Sequence, residues 1–463
     1  MHLIDPARHT RRAFLRRSGQ LAMAGTALPF ALNLATMGEA AAQAASGDDY
    51  KALVCVFLYG GNDYGNTLVP YDSASYNAYA TIRGSIATPR DQLAATALTP
   101  RVALPDGRQM ALAPQLGRLK TLFDAGRLGV QLNVGTLIQP TTLAQYKAQS
   151  VPLPPKLFSH NDQQSVWQAS SPEGAVTGWG GRMGDRFLGS NGNTTFTCIN
   201  ASGNAVFMAG QQAVQYQVAT NGAVAVNAVT KPLYGSQQCA DALRSLITAQ
   251  RSHWMEQELN RVVSRSISAQ TIVASALTNL PPLTTVFDPA NNLAQQLQIV
   301  AKLIGSRASL GVKRQVFFVS MGGFDLHDFL PNQHPGLLTA VNDALGAFHD
   351  ATVELGVADA VTTFTASDFG RTLSSNGDGS DHGWGSHHFV MGGAVKGGRF
   401  WGQLPSVSVN GPDDVGQGRL LPTTSVDQLG ATLATWMGVS AADLPTVLPQ
   451  IGNYTLKDVG YFA

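Results

Sequence analysis

Three cysteines in 463 residues, none paired at a metal-ligand spacing, exclude a thiolate zinc site, a c-type haem and an iron–sulfur cluster. Cys55 lies in an apolar run and reads as a small core residue. Cys198 and Cys239 could join in an oxidising compartment if the fold brought them together. Charge is scarce too: 13 % of residues, with 31 Lys and Arg against 30 Asp and Glu. No surplus of either sign is left to recruit nucleic acid, so partners must be recognised at a local site. Beyond the first 44 residues no apolar stretch reaches the roughly 18 residues of a membrane span, which argues against a stable membrane anchor. No Gly-x-Ser-x-Gly surrounds Ser159, the serine best placed at a helix start, so an ordinary serine-hydrolase elbow is not expected there.

What is abundant is apolar residues, 44 %, together with 48 Gly and 23 Pro. That composition suits a large α/β domain with many tight turns. The N-terminus stands apart. Arg11-Arg12-Ala13-Phe14-Leu15 precedes the mildly apolar LAMAGTALPFALNLATM and the small residues AAAQAA. This reads as a twin-arginine export signal over 1–44, cleaved after Ala44, with a cytoplasmic amphipathic leader as the alternative. The expected location is periplasmic or secreted, with the twin-arginine translocase as a transient partner.

In the remaining chain, 45–463, apolar runs end repeatedly in polar loops. Ala52–Tyr59 leads into Gly60-Gly61-Asn62-Asp63, KRQVFFVS into GGFDLHD, and DAVTTFTA into SDFGRT. Helical patterns at about 114–125, 336–355 and 425–438 separate further strands at 128–135 and 389–398. The expectation is an α/β fold, a mostly parallel doubly wound sheet between helices, in one domain. An inserted helical and loop-rich cap is expected over about 150–306, with long helices at 238–280 and 289–306.

In open α/β sheets the carboxyl ends of neighbouring strands face one crevice. Three loops qualify here, offering Asn62 and Asp63; Asp325, His327 and Asp328; and Asp368 with Arg371, followed by Asp381, His382, His387 and His388. Six of the ten histidines fall between 327 and 388. In Asp325-Leu326-His327 an extended backbone turns carboxylate and imidazole to one face and Leu326 to the other. Oxygen and nitrogen donors without thiolate suit Zn, Mn, Fe, Mg or Ca. Against this, a single Asp after a strand is commonly a helix cap or a turn residue, which is the better reading for Asp378 and an equal one for Asp63. Ser159 heads an apparent helix and is either an N-cap or a nucleophile. His253 and His349 read as surface residues of helices.

The motifs LYGGNDYGNTLVPY, SHNDQQSVW, GGFDLHD, SDFGRT, DHGWGSHHFVMGGAVKGG and PTTSVDQLGATLATWMG, in that order behind the leader, resemble a twin-arginine-exported bacterial family, domain of unknown function 1501. Its fold is similar to that of the alkaline phosphatase and sulfatase superfamily. The resemblance implies a metal-dependent hydrolase of phosphate or sulfate esters with one or two divalent metal ions. Asp325, His327 and Asp368 would match ligand positions, His382 or His387 the last ligand, and Asp63 a displaced first-strand ligand. Ser159 would match the nucleophile, and Arg371 would steady the anionic group. The substrate would be a small anionic ester or an extracellular glycan. Two departures stand out: Asp368 is followed by Phe369 instead of His, and the first strand ends in Tyr59-Gly60-Gly61. They leave room for the alternative of a non-catalytic periplasmic binding or assembly protein on the same scaffold.

Overall fold

The computed structural model describes residues 49–462, so the leader expected over 1–44 lies outside the described residues. From Lys51 onward the chain packs as one compact unit. Its sheet strands are β1 (Lys51–Leu58), β2 (Leu128–Gly135), β3 (Cys198–Asn200), β4 (Tyr216–Ala219), β5 (Gly222–Ala223), β6 (Arg314–Met321), β7 (Val361–Ser367), β8 (Ser386–Gly392), β9 (Phe400–Trp401) and β10 (Thr424–Ser425). The order across the sheet is β9-β2-β8-β7-β1-β6-β3-β4-β5, with β10 pairing β2. β1 lies between β6 and β7, parallel to both. β8 runs antiparallel to its neighbours β2 and β7, and β5 antiparallel to β4.

β1 is apolar at nearly every position because helices cover both of its faces. Leu53, Cys55 and Phe57 point to one side, where Trp167 of α3 (His160–Ala169), Trp179 and Met183 of α4 (Trp179–Phe187) and Leu433 of α9 (Val426–Met437) complete the core. Of the other described helices, α1 (Ser73–Arg83) packs on β-structure beyond the sheet's end, and α2 (Gly117–Asp124) packs on β2. α5 (Gln237–Thr248) and α6 (Trp254–Asn279) form a helical pair, and α7 (Asn292–Gly305) lies on β6 beside α8 (Leu330–Glu354).

The segment read as an insertion does carry α5 and α6, but it also supplies β3, which pairs directly with β6. Cys198 in β3 is buried and Cys239 in α5 is exposed, and both are free thiols. His349 is buried on α8, whereas its sequence reads as surface; His253 is exposed as expected.

A hairpin, Arg371–Ser375 against Ser380–His382, rises from the carboxyl end of the sheet with Arg371 opposite His382. Its turn, Asn376-Gly377-Asp378-Gly379, docks on the loop after β6: Asp378 accepts from Phe329 N at 3.0 Å, and Ser380 N donates to the Leu326 carbonyl at 3.1 Å. Gly379 is required there, since a Cβ would lie 2.1 Å from the His327 carbonyl oxygen. Gly60 is required at the end of β1, where φ is +115° and a Cβ would meet Asp325 N at 2.3 Å. These two close approaches bring the loops after β1 and β6 and the hairpin to one place.

Candidate metal centre

Four side chains converge where those loops meet. His382 Nε2 lies 3.0 Å from His160 Nε2, 2.9 Å from His327 Nε2 and 3.2 Å from Asp325 Oδ1. Asp325 also reaches both outer imidazoles, His160 Nε2 at 3.4 Å through Oδ2 and His327 Nε2 at 3.2 Å through Oδ1. His160, Asp325 and His382 place their donor atoms within 4.8 Å of one another, and His327 joins them through His382 and Asp325.

Each imidazole is held from behind. His160 Nδ1 donates to Asp368 Oδ2 at 2.6 Å, His327 Nδ1 to Asp381 Oδ1 at 3.2 Å, and His382 Nδ1 to the Phe158 carbonyl at 2.7 Å. Carboxylates and a carbonyl only accept, so the proton of each neutral ring sits on Nδ1 and the Nε2 lone pair faces the cluster. Three lone pairs and a carboxylate turned to one point repel unless a cation lies among them. Carboxylate or carbonyl behind each histidine is the usual support of a metal ligand.

The surroundings tune the charges. Burial would raise the Asp325 carboxyl pKa, but donation and charge from Arg371 outweigh it and hold the carboxyl below its usual range. The hydrogen bond to Asp368 raises the His160 pKa against burial, whereas burial lowers that of His382. The cluster opens to solvent on one side: the Asp325 and His327 side chains are 45 % and 40 % exposed, over a floor of fully buried Asp368 and Arg371.

The candidates named from sequence separate here into two sets. Asp325, His327 and His382 stand in the cluster. Asp368 stands one step behind it, where Oδ2 also accepts from Gly60 N at 3.2 Å and Gln164 Nε2 at 2.7 Å. Arg371 is buried and spent, bonded to Asp325 Oδ1 at 2.7 Å, the Gly60 carbonyl at 3.0 Å and Ser380, so it orients the Asp325 carboxylate from behind. Ser159 is the N-cap residue of α3, and its Oγ donates to Asp162 Oδ2 at 3.1 Å. Asp63 is paired with the buried Arg83 and caps a short helix through Asn66 N. His387 Nδ1 accepts from Asn133 N at 3.0 Å and its ring packs on Tyr64. Neither Asp63 nor His387 contacts the cluster. His160, which sequence reasoning passed over for its neighbour Ser159, is in it. The available signal was its place beside Ser159 at the start of the same helix.

The profile of the family described as "Protein of unknown function (DUF1501)" matches residues 50–446. The chain belongs to that family. No curated protein matches it. Among solved structures this DUF1501 chain is similar to Ps i-CgsB in complex with k-i-k-neocarrahexaose, at 10 % identity and TM-score 0.36, over 88 % of this chain and 77 % of that one. It is similar to the PsFucS1 sulfatase from Pseudoalteromonas sp., at 11 % identity and TM-score 0.36, over 87 % and 70 %. It is also similar to alkaline phosphatase from the Antarctic bacterium TAB5, at 9 % identity and TM-score 0.28, over 76 % and 95 %.

The residues at this site of the DUF1501 chain fit a bound cation. The donor set is three imidazole nitrogens and a carboxylate, chemistry suited to a first-row divalent ion. Asp368 Oδ1 is buried beside it with no hydrogen-bond partner among the described residues, an orphaned acceptor that a nearby positive charge would compensate. The other residues expected from sequence as metal ligands are committed elsewhere: Asp63 to Arg83, Asp368 Oδ2 to His160, His387 to Asn133.

Proposed function

We propose that this protein is an exported, metal-dependent hydrolase of phosphate or sulfate esters with one divalent ion per chain. His160, His327, His382 and Asp325 would hold the ion. The observation that carries this reading is the convergence of three Nε2 atoms on Asp325 with every Nδ1 proton already placed. A bound divalent ion supplies Lewis acidity toward an ester oxygen and a lowered pKa for water. The chain's own residues supply the rest. Asp368, Asp381 and the Phe158 carbonyl fix the three rings, and Arg371 keeps Asp325 ionised. The solvent-open side admits a small anionic ester or the sulfated or phosphorylated end of a glycan. Ser159 is engaged with Asp162, so the attacking group in this reading is water.

The engagement of Ser159 and the burial of Arg371 also favour a second reading, a non-catalytic binding or assembly protein that keeps the metal as a structural or ligand-holding element. An ester panel separates the two. Turnover by the metal-loaded protein that is lost with a chelator and in Asp325→Asn supports the hydrolase. Stoichiometric metal without turnover on any phosphate or sulfate ester supports the binder.

A further inference from the structure

His382 is gripped at both ends by one pair of residues. Arg419 Nε donates to the His382 carbonyl at 2.7 Å, and its guanidinium lies over the Phe158 ring, 4.8 Å from the centroid. The Phe158 carbonyl in turn accepts the Nδ1 proton of His382 at 2.7 Å. Phe158 has φ +71°, and Lys156 two residues earlier has φ +43°. Bulky residues enter the left-handed region only where their surroundings hold them, and such strain gathers at functional sites.

The turn that carries this strain does two things. It aims the Phe158 carbonyl at one imidazole of the cluster, and two residues later it starts α3 with another, His160. Gln163 braces it from inside the helix, donating to the Pro155 carbonyl at 2.9 Å while accepting from Thr136 Oγ1 at 2.6 Å. From outside, Arg419 provides the brace. Arg419 is itself held in a stiff loop, in which Asp414 accepts backbone N–H groups from Asn410, Gly416 and Gly418.

From this geometry we infer that Arg419 is a positioning residue of the metal centre, clamping His382 to the strained Phe158 turn so that two ligands keep their aim. The inference rests on the metal reading above. The stack over Phe158 needs the flat guanidinium, which a lysine does not reproduce. Without the clamp the turn relaxes, the Phe158 carbonyl leaves Nδ1, and the His382 ring loses both its tautomer and its orientation.

The test is chelator-competition titration of the full chain with Zn2+, and the visible spectrum of the Co2+-loaded protein, for wild type, Arg419→Ala, Phe158→Ala and the double variant. Unfolding of each metal-free protein is followed alongside. The expected result is a Zn2+ dissociation constant raised about 10- to 100-fold in either single variant, the range for lost supporting bonds. The Co2+ spectrum changes with it, and the double variant is no worse than the weaker single one, because both remove one interaction. Wild-type affinity and spectrum in Arg419→Ala, or fully additive losses, overturn the inference. If Arg419→Ala does not fold, Arg419→Lys is read the same way: weakened binding supports the clamp, and wild-type binding overturns it. A wild-type protein that takes up neither ion overturns the metal reading and this inference with it, whereas binding unaffected by Arg419 overturns this inference alone.

Discussion

The Nε2 atoms of His160 and His382 lie 3.0 Å apart, although 222 positions separate the residues in sequence. His160 arrives on the first turn of α3 and His382 on the hairpin that follows β7. Each has its other nitrogen tied to a group that only accepts, so between neutral rings the contact has no proton of its own to bridge it. The relationship makes His160, and not the adjacent Ser159, the residue through which α3 contributes to the site.

His160→Ala is therefore expected to lower metal affinity by about 100-fold or more, beyond the loss typical of an outer supporting residue. Ser159→Ala is expected to leave metal content unchanged. Chelator-competition titration of the two variants side by side checks both statements. Equal loss in both would return the functional role to the serine.

The buried pair Asp63–Arg83 belongs to the scaffold. Its carboxyl stays below the ordinary carboxylate range because the charge and hydrogen bond of Arg83, with donation from Asn66 N, outweigh the upward push of burial. Removing one partner leaves a buried charge uncompensated, so Arg83→Met should cost about 3–5 kcal/mol of stability. Asp63→Leu with Arg83→Met should recover part of that cost. Urea unfolding of the single and double variants measures it, and a single variant as stable as wild type would contradict the assignment.

Acid should unfold the protein through histidines that are not in the cluster. Burial pushes His334 and His387 down to about 4 and His388 to about 3. They are neutral in the fold, while the unfolded chain takes up protons below the ordinary value near 6.5. Their contribution is thus fully present above about pH 6.5 and is lost as pH falls from there toward 4. His388 Nε2 is buried without a partner among the described residues and the ring packs on Trp167, so His388→Leu removes a titrating group at small packing cost. Unfolding free energies at pH 7 and pH 5 should differ less in that variant than in wild type. An equal or larger difference would rule out His388 as a source of acid sensitivity.

Arg11 and Arg12 stand where a twin-arginine export signal would carry its arginine pair. Replacing Arg11 and Arg12 with Lys should retain the protein in the cytoplasm of a host with a working translocase. Fractionation shows it directly, and undiminished export would remove the twin-arginine assignment.

Much of the fold was legible because strands buried on both faces are written as largely apolar runs, unbroken at 52–59 and interrupted at 128–135 only by Gln131 and Asn133. The run at 52–59 became β1 at Lys51–Leu58, and that at 128–135 became β2. The helix read from Gly336 begins at Leu330, because Pro331 occupies a first turn that needs no N–H and Pro335 is tolerated one turn later. In the site, Asp325 and His327 share a direction as the alternation implied, with Leu326 buried between them, although the backbone there is a turn and not a strand. Asp63 was ambiguous from sequence, since its partner Arg83 arrives from another helix. His160 was hidden for a different reason. Which residue at the start of α3 faces the crevice depends on the left-handed turn at Lys156 and Phe158, and that turn is held by Arg419, more than 250 residues away. Local patterning carries no trace of such a contact.

The most direct test of the metal centre is elemental mass spectrometry of the folded protein, purified without chelator, beside His160→Ala and Asp325→Ala. The arrangement predicts about one divalent transition-metal ion per wild-type chain and its loss in both variants. A wild-type chain without metal, or metal retained in full by both variants, would contradict the assignment of His160, His327, His382 and Asp325 as a coordination site.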